Sequence, residues 1–267
     1  MCCGFHERVL HHAVMNVCHQ YFDKTLIYDT YATRINKGVY KALDKAAIAM
    51  RNYKYVAKLD YRKYFDSISH EMLKNKLLTK FKDVKLLNIF DKIIDSYEVN
   101  PDFGLPIGNL TSQYFANFYL SDLDHFIKEE IGIKDYIRYM DDMLLFSNDK
   151  AQLECQLHTI YEYSEQMRLT LKPFVLSNTK YGVSFLGYKL FPNAIKLNRN
   201  SKKRFFKKMQ QYDTYLHDNI FTEKDYQLHI IPLLSFVRHA YTKRLRKISL
   251  EGRIAYAPYN RSQPVST

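Results

Sequence analysis

The stretch "YIRYMDDMLLFS", residues 136–147, places two adjacent aspartates in the middle of an apolar segment that favours β-structure. Like charges repel, and a half-buried pair of carboxylates is costly to desolvate. A plain hairpin turn is better served by Asn-Gly or Asp-Gly. Paired carboxylates are, however, natural ligands for a hard divalent cation such as Mg²⁺. The segment therefore predicts a strand, a turn and a second strand, with a metal site formed by Asp141 and Asp142.

A third carboxylate, Asp60, ends the apolar strand "YVAKL" in the same way that Asp141 ends "YIRYM". Carboxylates at the ends of neighbouring strands can share two metal ions about 3.5–4 Å apart, one activating the attacking oxygen and one holding the leaving phosphate. Taken alone, Asp60 is also an ordinary residue for the end of a strand. The order in the chain, with Asp60 first, then the loop "LPIG" and then "YMDD", is the stronger signal.

Length and composition set the limits of the fold. The 267 residues suffice for one large or two small domains, and 46% of them are hydrophobic, so a real core is expected. The sequence shows no apolar run long enough to span a bilayer, and its first residues do not resemble a signal peptide. The four cysteines lack CxxC spacing, which favours a reducing setting. We therefore expect a cytoplasmic protein without a membrane partner.

Charge indicates a polyanionic partner. The formal charge is +12, from 40 Lys and Arg against 28 Asp and Glu, and the chain carries 23 tyrosines and 17 phenylalanines. Solubility alone would explain a basic surface. The basic residues are nevertheless concentrated, since the stretches 196–208 and 226–250 contain no acidic residue, whereas a solvated helix usually interleaves both signs. One-sided charge in the C-terminal third favours contact with a phosphate backbone.

The periodicities predict a mixture of helices and strands. Helices are expected over residues 8–22, with Val9, Ala13 and Val17 on one stripe, and over 39–52, 111–130 and 151–167. Ser69 has the position of an N-cap for a helix that carries Leu73, Leu77 and Phe81. A short hairpin is expected at "VSFLGYKLF", residues 183–191. The predicted fold class is α+β, with helices packed on one face of a sheet.

In this order, the motifs resemble those of reverse transcriptases, the palm-fold polymerases that copy RNA into DNA. The matching blocks are "RVLHHAVMN", "DTYATRINKGVYKAL", "KLDYRKYFDSI", "GLPIGNLTSQYFANFYL", "YIRYMDDMLLFS" and "FLGY". The resemblance implies a right-hand polymerase with an antiparallel palm sheet. Partial fingers would span residues 1–52, the palm 53–190 with a fingers segment around 75–105, and a small helical thumb with a C-terminal tail 191–267.

The resemblance also implies which residues form the site. Asp60, Asp141 and Asp142 match the catalytic triad, and together with Tyr61 they would bind two Mg²⁺ ions, with Mn²⁺ as the alternative ion. Phe65 matches the steric gate against a ribose 2′-OH, although a Phe there is also an ordinary core residue. Arg34 matches a basic fingers residue that contacts the triphosphate, with Lys37 close behind it; the alternative is a solvated turn.

Further substrate contacts follow from the same resemblance. Ile107, Gly108 and Gln113 belong to the loop motif, and either Lys172 or Lys180 would be the late lysine that protonates pyrophosphate. The residues expected to touch primer and template are Tyr139, Met140, Phe185, Leu186, Gly187, Lys202, Lys203 and Arg204. The implied partners are an RNA template, a DNA or RNA primer and dNTPs.

The loop "LPIGNLTSQ" carries Ile107 where the family usually has glutamine. This pattern resembles the reverse transcriptases of diversity-generating retroelements, and implies mutagenic retrohoming with errors at adenines. It also implies a structured RNA and a small basic accessory variability protein as partners. A retron-like enzyme is less favoured because a Val-Thr-Gly thumb signature is missing, and a group II intron-like enzyme because the sequence contains no maturase or endonuclease region.

Two other readings stay open. Only five residues, Met1 to Phe5, precede the "HERVLHH" block, so the chain is also compatible with a truncated, inactive palm that binds RNA or a partner. The other reading is a different palm-like nucleotidyl transferase or cyclase, which would need neither the Phe65 gate nor the basic C-terminal helices. The adjacent His11 and His12 are not expected to form a metal site, because neighbouring helical residues point in different directions.

Overall fold

The computed structural model describes residues 4–242, which fold into ten α-helices and seven β-strands. The first half contains α1 (Phe5–Asp23), α2 (Val39–Asn52), β1 (Tyr55–Leu59), α3 (Tyr64–Ser67), α4 (His70–Lys80), α5 (Val84–Asp95) and α6 (Leu110–Tyr119). The second half contains α7 (Ser121–His125), β2 (Tyr136–Tyr139), β3 (Asp142–Ser147), α8 (Lys150–Gln166), β4 (Val175–Asn178), β5 (Val183–Phe185), β6 (Tyr188–Phe191), β7 (Ala194–Leu197), α9 (Arg199–His217) and α10 (Glu223–Arg238).

The chain divides into two compact units. The first comprises the residues up to 186 together with 191–193, and the second comprises 187–190 and the chain from 194 onwards. Along the described residues, no helix combines the length and the apolar character needed to cross a membrane. The predicted boundaries of fingers, palm and thumb stay predictions.

An antiparallel four-stranded sheet with the order β2–β3–β1–β4 is the centre of the first unit. Tyr55 lies opposite Ser147 and Leu59 lies opposite Met143, so the full length of β1 is paired with β3. The predicted strand–turn–strand unit is confirmed, since Tyr139 of β2 pairs with Asp142 of β3. Helices α2 and α8 contact this sheet, which confirms the α+β fold class. Strands β5, β6 and β7 form a second sheet in that order.

Helix α4 begins at the predicted N-cap, Ser69. Its hydroxyl accepts a hydrogen bond from the Met72 amide, and Leu73 and Leu77 are buried.

Phe22 lies at the centre of an aromatic cluster whose other rings belong to Phe81, Phe90, Tyr114, Phe115 and Phe118. Such rings supply much buried apolar area per residue, so this cluster fixes α1 against α6.

Two predicted features differ from the structure. Val9 and Val17 are exposed, and α1 buries the opposite stripe of His11, Met15, Cys18 and Phe22. Both faces of α1 carry apolar residues, and the face with the large Phe22 ring is the buried one. The helix predicted over residues 111–130 is broken at Leu120 into α6, α7 and a π-helical segment, Phe126–Glu130. The Ser121 hydroxyl donates to the Phe118 carbonyl, a local bond that competes with regular helix.

The second unit is built on α9 and α10, which pack through Phe205, Met209, Ile230 and Val237. Asn198 caps α9, and Thr222 forms a capping box with Asp225 at the start of α10. The acid-free segment of residues 196–208 covers β7's end and the first half of α9. The last eight residues of the second acid-free stretch, residues 243–250, lie outside the described residues.

Candidate active site

A tight turn brings the paired aspartates to the end of the sheet. Met140 and Asp141 form the two-residue connection between β2 and β3, and Asp142 is the first residue of β3. Met140 has a φ of +54°, a conformation that glycine usually supplies at the first position of such a turn. A bulky residue there stores backbone strain, which is a feature of functional sites.

Asp60 follows β1 directly, and the sheet register brings it level with the aspartate pair. Leu59 lies opposite Met143, so continuing the antiparallel ladder by one residue places Asp60 beside Asp142. The structure thus brings together the three carboxylates that the sequence predicted as one group.

The pKa values of Asp141 and Asp142 reflect the interaction among these carboxylates. Burial raises the pKa of Asp141 to about 6, and the negative charges of Asp60 and Asp142, with a hydrogen bond to Asp60, add to the rise. Burial also raises the pKa of Asp142, against the opposing effect of the Lys58 ammonium. A site in which ionised carboxylates destabilise one another favours a bound cation. Oxygen donors of this kind fit Mg²⁺ or Mn²⁺.

Two lysines pair with the carboxylates. Lys172 Nζ lies 2.6 Å from Asp60 Oδ2, and Lys58 Nζ lies 2.7 Å from Asp142 Oδ1. Of the two candidate late lysines, the structure therefore places Lys172 at the triad, whereas the Lys180 ammonium lies 4.9 Å from the ring of Tyr181. Lys58 is not among the residues predicted from the sequence. Its position two residues before Asp60 on a strand, and therefore on the same face, was the available signal.

A buried ion pair holds the turn between β2 and β3 in place. Arg138 and Asp124 are both fully buried, and Arg138 Nε donates to Asp124 Oδ1 at 2.7 Å. Burial opposes the charge of Arg138, but Asp124 outweighs it and raises the pKa of the guanidinium. The same guanidinium donates to the carbonyl of Met140 at 3.1 Å and to Asn117 Oδ1 at 3.0 Å. Arg138 thus fixes the strained turn to α6 and α7, a role that its sequence context did not reveal.

The predicted steric gate and the loop motif are adjacent. Phe65, in α3, is partly buried and packs against the core, and its carbonyl accepts a hydrogen bond of 2.8 Å from the Leu105 amide. Gly108 has a φ of +102° and open space around it, so its backbone conformation explains the glycine. The Ile107 side chain is 75% exposed. The structure thus joins Phe65 to the loop and projects Ile107 into solvent.

The segment "DTYATRINKG", residues 29–38, is hydrogen-bonded to α6. The Thr33 hydroxyl donates to Gln113 Oε1 at 3.1 Å, and the Asn117 amide donates to the Ala32 carbonyl at 2.8 Å. The Gln113 side chain is therefore bonded to this segment, and its predicted contact with substrate stays a prediction.

Arg34 and Lys37 are not in a solvated turn. The Arg34 side chain is 10% exposed, pairs with Asp23 at 2.6 Å and donates to the Ile27 carbonyl at 2.6 Å. Lys37 Nζ donates to the Tyr28 carbonyl at 2.8 Å and lies 3.4 Å from the centre of the Tyr28 ring. Both cations are thus engaged with local partners, and their predicted contact with a triphosphate stays a prediction.

The "FLGY" turn contacts the site through its backbone. Leu186, with a φ of +49°, has its main-chain amide hydrogen-bonded to the Asp142 carboxylate. The Phe185 side chain is buried, so only the main chain of Phe185 could make the predicted contact with primer or template. Gly187 has no room for a side chain, because a Cβ there would lie 2.9 Å from Ser201 Oγ.

The remaining predicted residues have distinct surroundings. The Tyr61 hydroxyl bonds Ser164 Oγ at 2.9 Å in the core, so any metal ligand from Tyr61 is its main-chain carbonyl. Tyr139 is partly buried at the end of β2, and burial raises the pKa of its phenol. The basic side chains of Lys202, Lys203 and Arg204 are exposed on α9, while Phe205 beside them is buried.

Known proteins have sequences similar to that of this chain. Retron Ec73 reverse transcriptase of Escherichia coli is 26% identical over 213 residues, which cover 73% of this chain and 66% of that protein. The putative COX1/OXI3 intron 2 protein of Saccharomyces cerevisiae is 19% identical over 247 residues, covering 68% of this chain and 29% of that protein. The chain thus spans just under two thirds of the length of the first relative and less than a third of the second.

Solved structures show the same fold. Telomerase from Candida tropicalis, truncated from its C-terminal domain, has a TM-score of 0.54 at 14% identity, covering 70% of this chain and 45% of that one. Telomerase from Candida albicans, in a complex with a fragment of telomeric RNA, has a TM-score of 0.51 at 15% identity, covering 93% and 47%. Residues 2–190 match the family described as reverse transcriptase (RNA-dependent DNA polymerase), and the chain belongs to that family.

Proposed function

We propose that the protein is an RNA-directed DNA polymerase, which makes cDNA by two-metal nucleotidyl transfer. The observation that carries this proposal is the convergence of Asp60, Asp141 and Asp142 at the end of the sheet, with the pKa of Asp141 raised to about 6. Burying several carboxylates together is unfavourable unless a cation compensates their charges, and a bound metal ion supplies that compensation. Family membership supports the same reaction.

Each residue of the site has a role in this proposal. Asp60 and Asp141 would hold the two ions, with Asp142 assisting; the ions would activate the attacking oxygen and stabilise the leaving phosphate. In the absence of metal, Lys58 pairs with Asp142 and Lys172 pairs with Asp60, so each ammonium offsets part of the negative charge of the site. Metal ions held by the carboxylates would free both ammonium groups to contact phosphate oxygens, and Lys172 would then serve as the late general acid.

The surrounding elements would handle the nucleic acid. Phe65 and the adjoining loop would shape the sugar pocket, and the exposed basic side chains of α9 would neutralise backbone phosphates of the template and primer. In this proposal residues 1–52 act as fingers, 53–190 as the palm and 191–267 as the thumb and tail. RNA template, primer and dNTPs are the proposed partners.

Primer extension on an RNA template, with dNTPs and Mg²⁺ or Mn²⁺, tests the activity. We expect Asp141→Asn to abolish extension while binding of an RNA–DNA hybrid is kept, because the basic residues are unchanged. Asp122→Asn is the matched control, since Asp122 also pairs with a lysine, Lys76 at 3.0 Å, but is not part of the triad. Hybrid binding without extension in the unmodified protein would instead support the inactive, RNA-binding palm.

The finer proposal is a role in mutagenic retrohoming, as in diversity-generating retroelements, with a small basic accessory protein as an additional partner. It rests on Ile107, which offers no hydrogen-bond donor or acceptor where glutamine is usual. One net hydrogen bond is worth about 0.5–1.5 kcal/mol, or roughly a twofold to tenfold effect on discrimination. The similarity to a retron enzyme and to an intron protein favours the alternative of a retron-like or group II intron-like enzyme.

Sequencing of cDNA from a mixed RNA template, made with and without the accessory protein, separates these alternatives. The retroelement proposal predicts errors concentrated at template adenines, and a several-fold decrease in those errors for Ile107→Gln. Equal error spectra for the parent and for Ile107→Gln would show that Ile107 does not cause the errors. A spectrum without adenine bias would favour the retron-like or intron-like alternative.

A further inference from the structure

A second group of potential metal ligands lies where the start of α4 meets the loop between α5 and α6. One ring nitrogen of His70 and one carboxylate oxygen each of Glu98 and Asp102 lie within 4.8 Å of one another. His70 is 2% exposed, whereas the two acidic residues are exposed. One ion could contact all three ligands after small movements of the two surface side chains.

The contacts of the His70 imidazole distinguish its two ring nitrogens. Its Nε2 lies 2.7 Å from the carbonyl oxygen of Gly104, and because a carbonyl can only accept, Nε2 carries the proton. Its buried Nδ1 has no hydrogen-bond partner. Asp95 Oδ1 lies 3.5 Å from this nitrogen, which is too far for a good hydrogen bond. Metal-binding histidines typically donate their other N–H to a backbone carbonyl or carboxylate in this way.

The local charge favours a divalent cation. Asp95, Glu98 and Asp102 bring three carboxylates to this region, and Lys74 pairs with Asp95 at 2.6 Å. One ammonium against three carboxylates leaves two formal negative charges around the imidazole. A divalent ion bound to the Nδ1 lone pair would neutralise these charges and satisfy the buried nitrogen.

The backbone that carries the ligands is already fixed. The His70 amide donates to the Asp102 carbonyl at 2.9 Å, and the Gly104 amide donates to the Ile68 carbonyl at 2.9 Å. Asp102 has a φ of +62°, a conformation that Asp tolerates better than most residues. Binding an ion would therefore cost little ordering of the main chain, since only two surface side chains must be immobilised.

We propose that His70, Glu98 and Asp102 form a structural site for one transition-metal ion, with Zn²⁺ as the best fit. One imidazole nitrogen with two carboxylate oxygens suits Zn²⁺, whereas Mg²⁺ prefers oxygen ligands alone. Water would complete the coordination. The ion would clamp the loop to α4, and the loop continues to Leu105, whose amide is bonded to Phe65. This site shares no ligand with the aspartate triad.

Calorimetric titration of the full chain with ZnCl₂ tests the proposal. The titration is done in the Asp141→Asn background, so that Zn²⁺ bound by the triad does not add to the signal. We expect one site, weakened at least about tenfold by Glu98→Gln and by Asp102→Asn, because even groups outside the coordination shell are typically worth 10–100-fold in metal affinity. Both variants alter exposed side chains, so the fold should persist. Glu129→Gln is the control, since it alters another exposed carboxylate beside a histidine, His125.

Thermal unfolding gives an independent readout. Zn²⁺ should raise the melting temperature of the parent and of Glu129→Gln, and should have a much smaller effect on the two ligand variants, because a ligand stabilises only the state that binds it. The proposal is overturned if the parent binds no Zn²⁺. It is equally overturned if Glu98→Gln and Asp102→Asn bind Zn²⁺ as tightly as the control.

Discussion

The strained turn at Met140 offers a quantitative test of how the hairpin is held. A non-glycine residue in the left-handed region costs about 1–2 kcal/mol, and Met140 occupies that region with a φ of +54°. Met140→Gly removes this cost, but it also increases the entropy of the unfolded chain by about 0.4–1 kcal/mol. The hydrogen bond from Arg138 reaches the Met140 carbonyl, so it survives the substitution. We therefore expect a net stabilisation of about 0.5–1 kcal/mol.

Thermal unfolding at fixed pH measures this gain. For a chain of this size, 1 kcal/mol corresponds to roughly 2–4 °C, so Met140→Gly should melt about 1–4 °C higher than the parent. Met140→Val provides the opposite perturbation, because a β-branched residue is least tolerated at positive φ, and it should melt lower. Primer extension should decrease for Met140→Gly, since a more flexible turn holds Asp141 less rigidly. Equal destabilisation by Gly and Val would refute the idea that the turn stores strain.

Three other perturbations test the site and the basic surface. The pKa of Asp141 is raised in the folded state, so ionisation of Asp141 destabilises the metal-free protein as the pH rises from about 4 to 6. Asp141→Asn removes this charge and should therefore melt at a higher temperature than the parent at pH 8 in EDTA. The difference in melting temperature should vanish near pH 4. Phe65→Ala should lower the discrimination between dNTPs and rNTPs in single-nucleotide incorporation, whereas an unchanged ratio in an active enzyme would make Phe65 a core residue only. Replacing Lys202, Lys203 and Arg204 together with Ala should weaken hybrid binding and flatten its salt dependence by up to about 0.9 per lost phosphate contact, and an unchanged slope would show that the cluster is a solvated face.

Local patterns predicted the parts of the fold that local chemistry determines. The "YMDD" hairpin and the Ser69 cap were readable because strand alternation and capping depend on a few neighbouring residues. The buried face of α1 was not, because apolar residues such as Val9 and Met15 occur on both faces and only the tertiary partners decide between them.

The site shows the same division. The three aspartates could be grouped from their positions at strand ends, but the partners that control their charge could not. The ion pair of Arg138 with Asp124 joins two elements, and a lone Arg in an apolar strand does not reveal its partner. The unpaired Nδ1 of His70 likewise becomes visible only when the loop of residues 97–104 is placed against α4.

The strand order of the central sheet has a consequence for biosynthesis. Strand β1 is bordered by β3 and β4, so its backbone groups find both partners only after residue 178 has been made. At typical translation rates of about 5–20 residues per second, the nascent chain carries the apolar segment "YVAKL" unpaired for on the order of ten seconds. During that interval the segment is a target for chaperones and a risk for aggregation. Slow translation or a ribosome stall between β1 and β4 should therefore reduce the yield of folded protein more than a stall after β4.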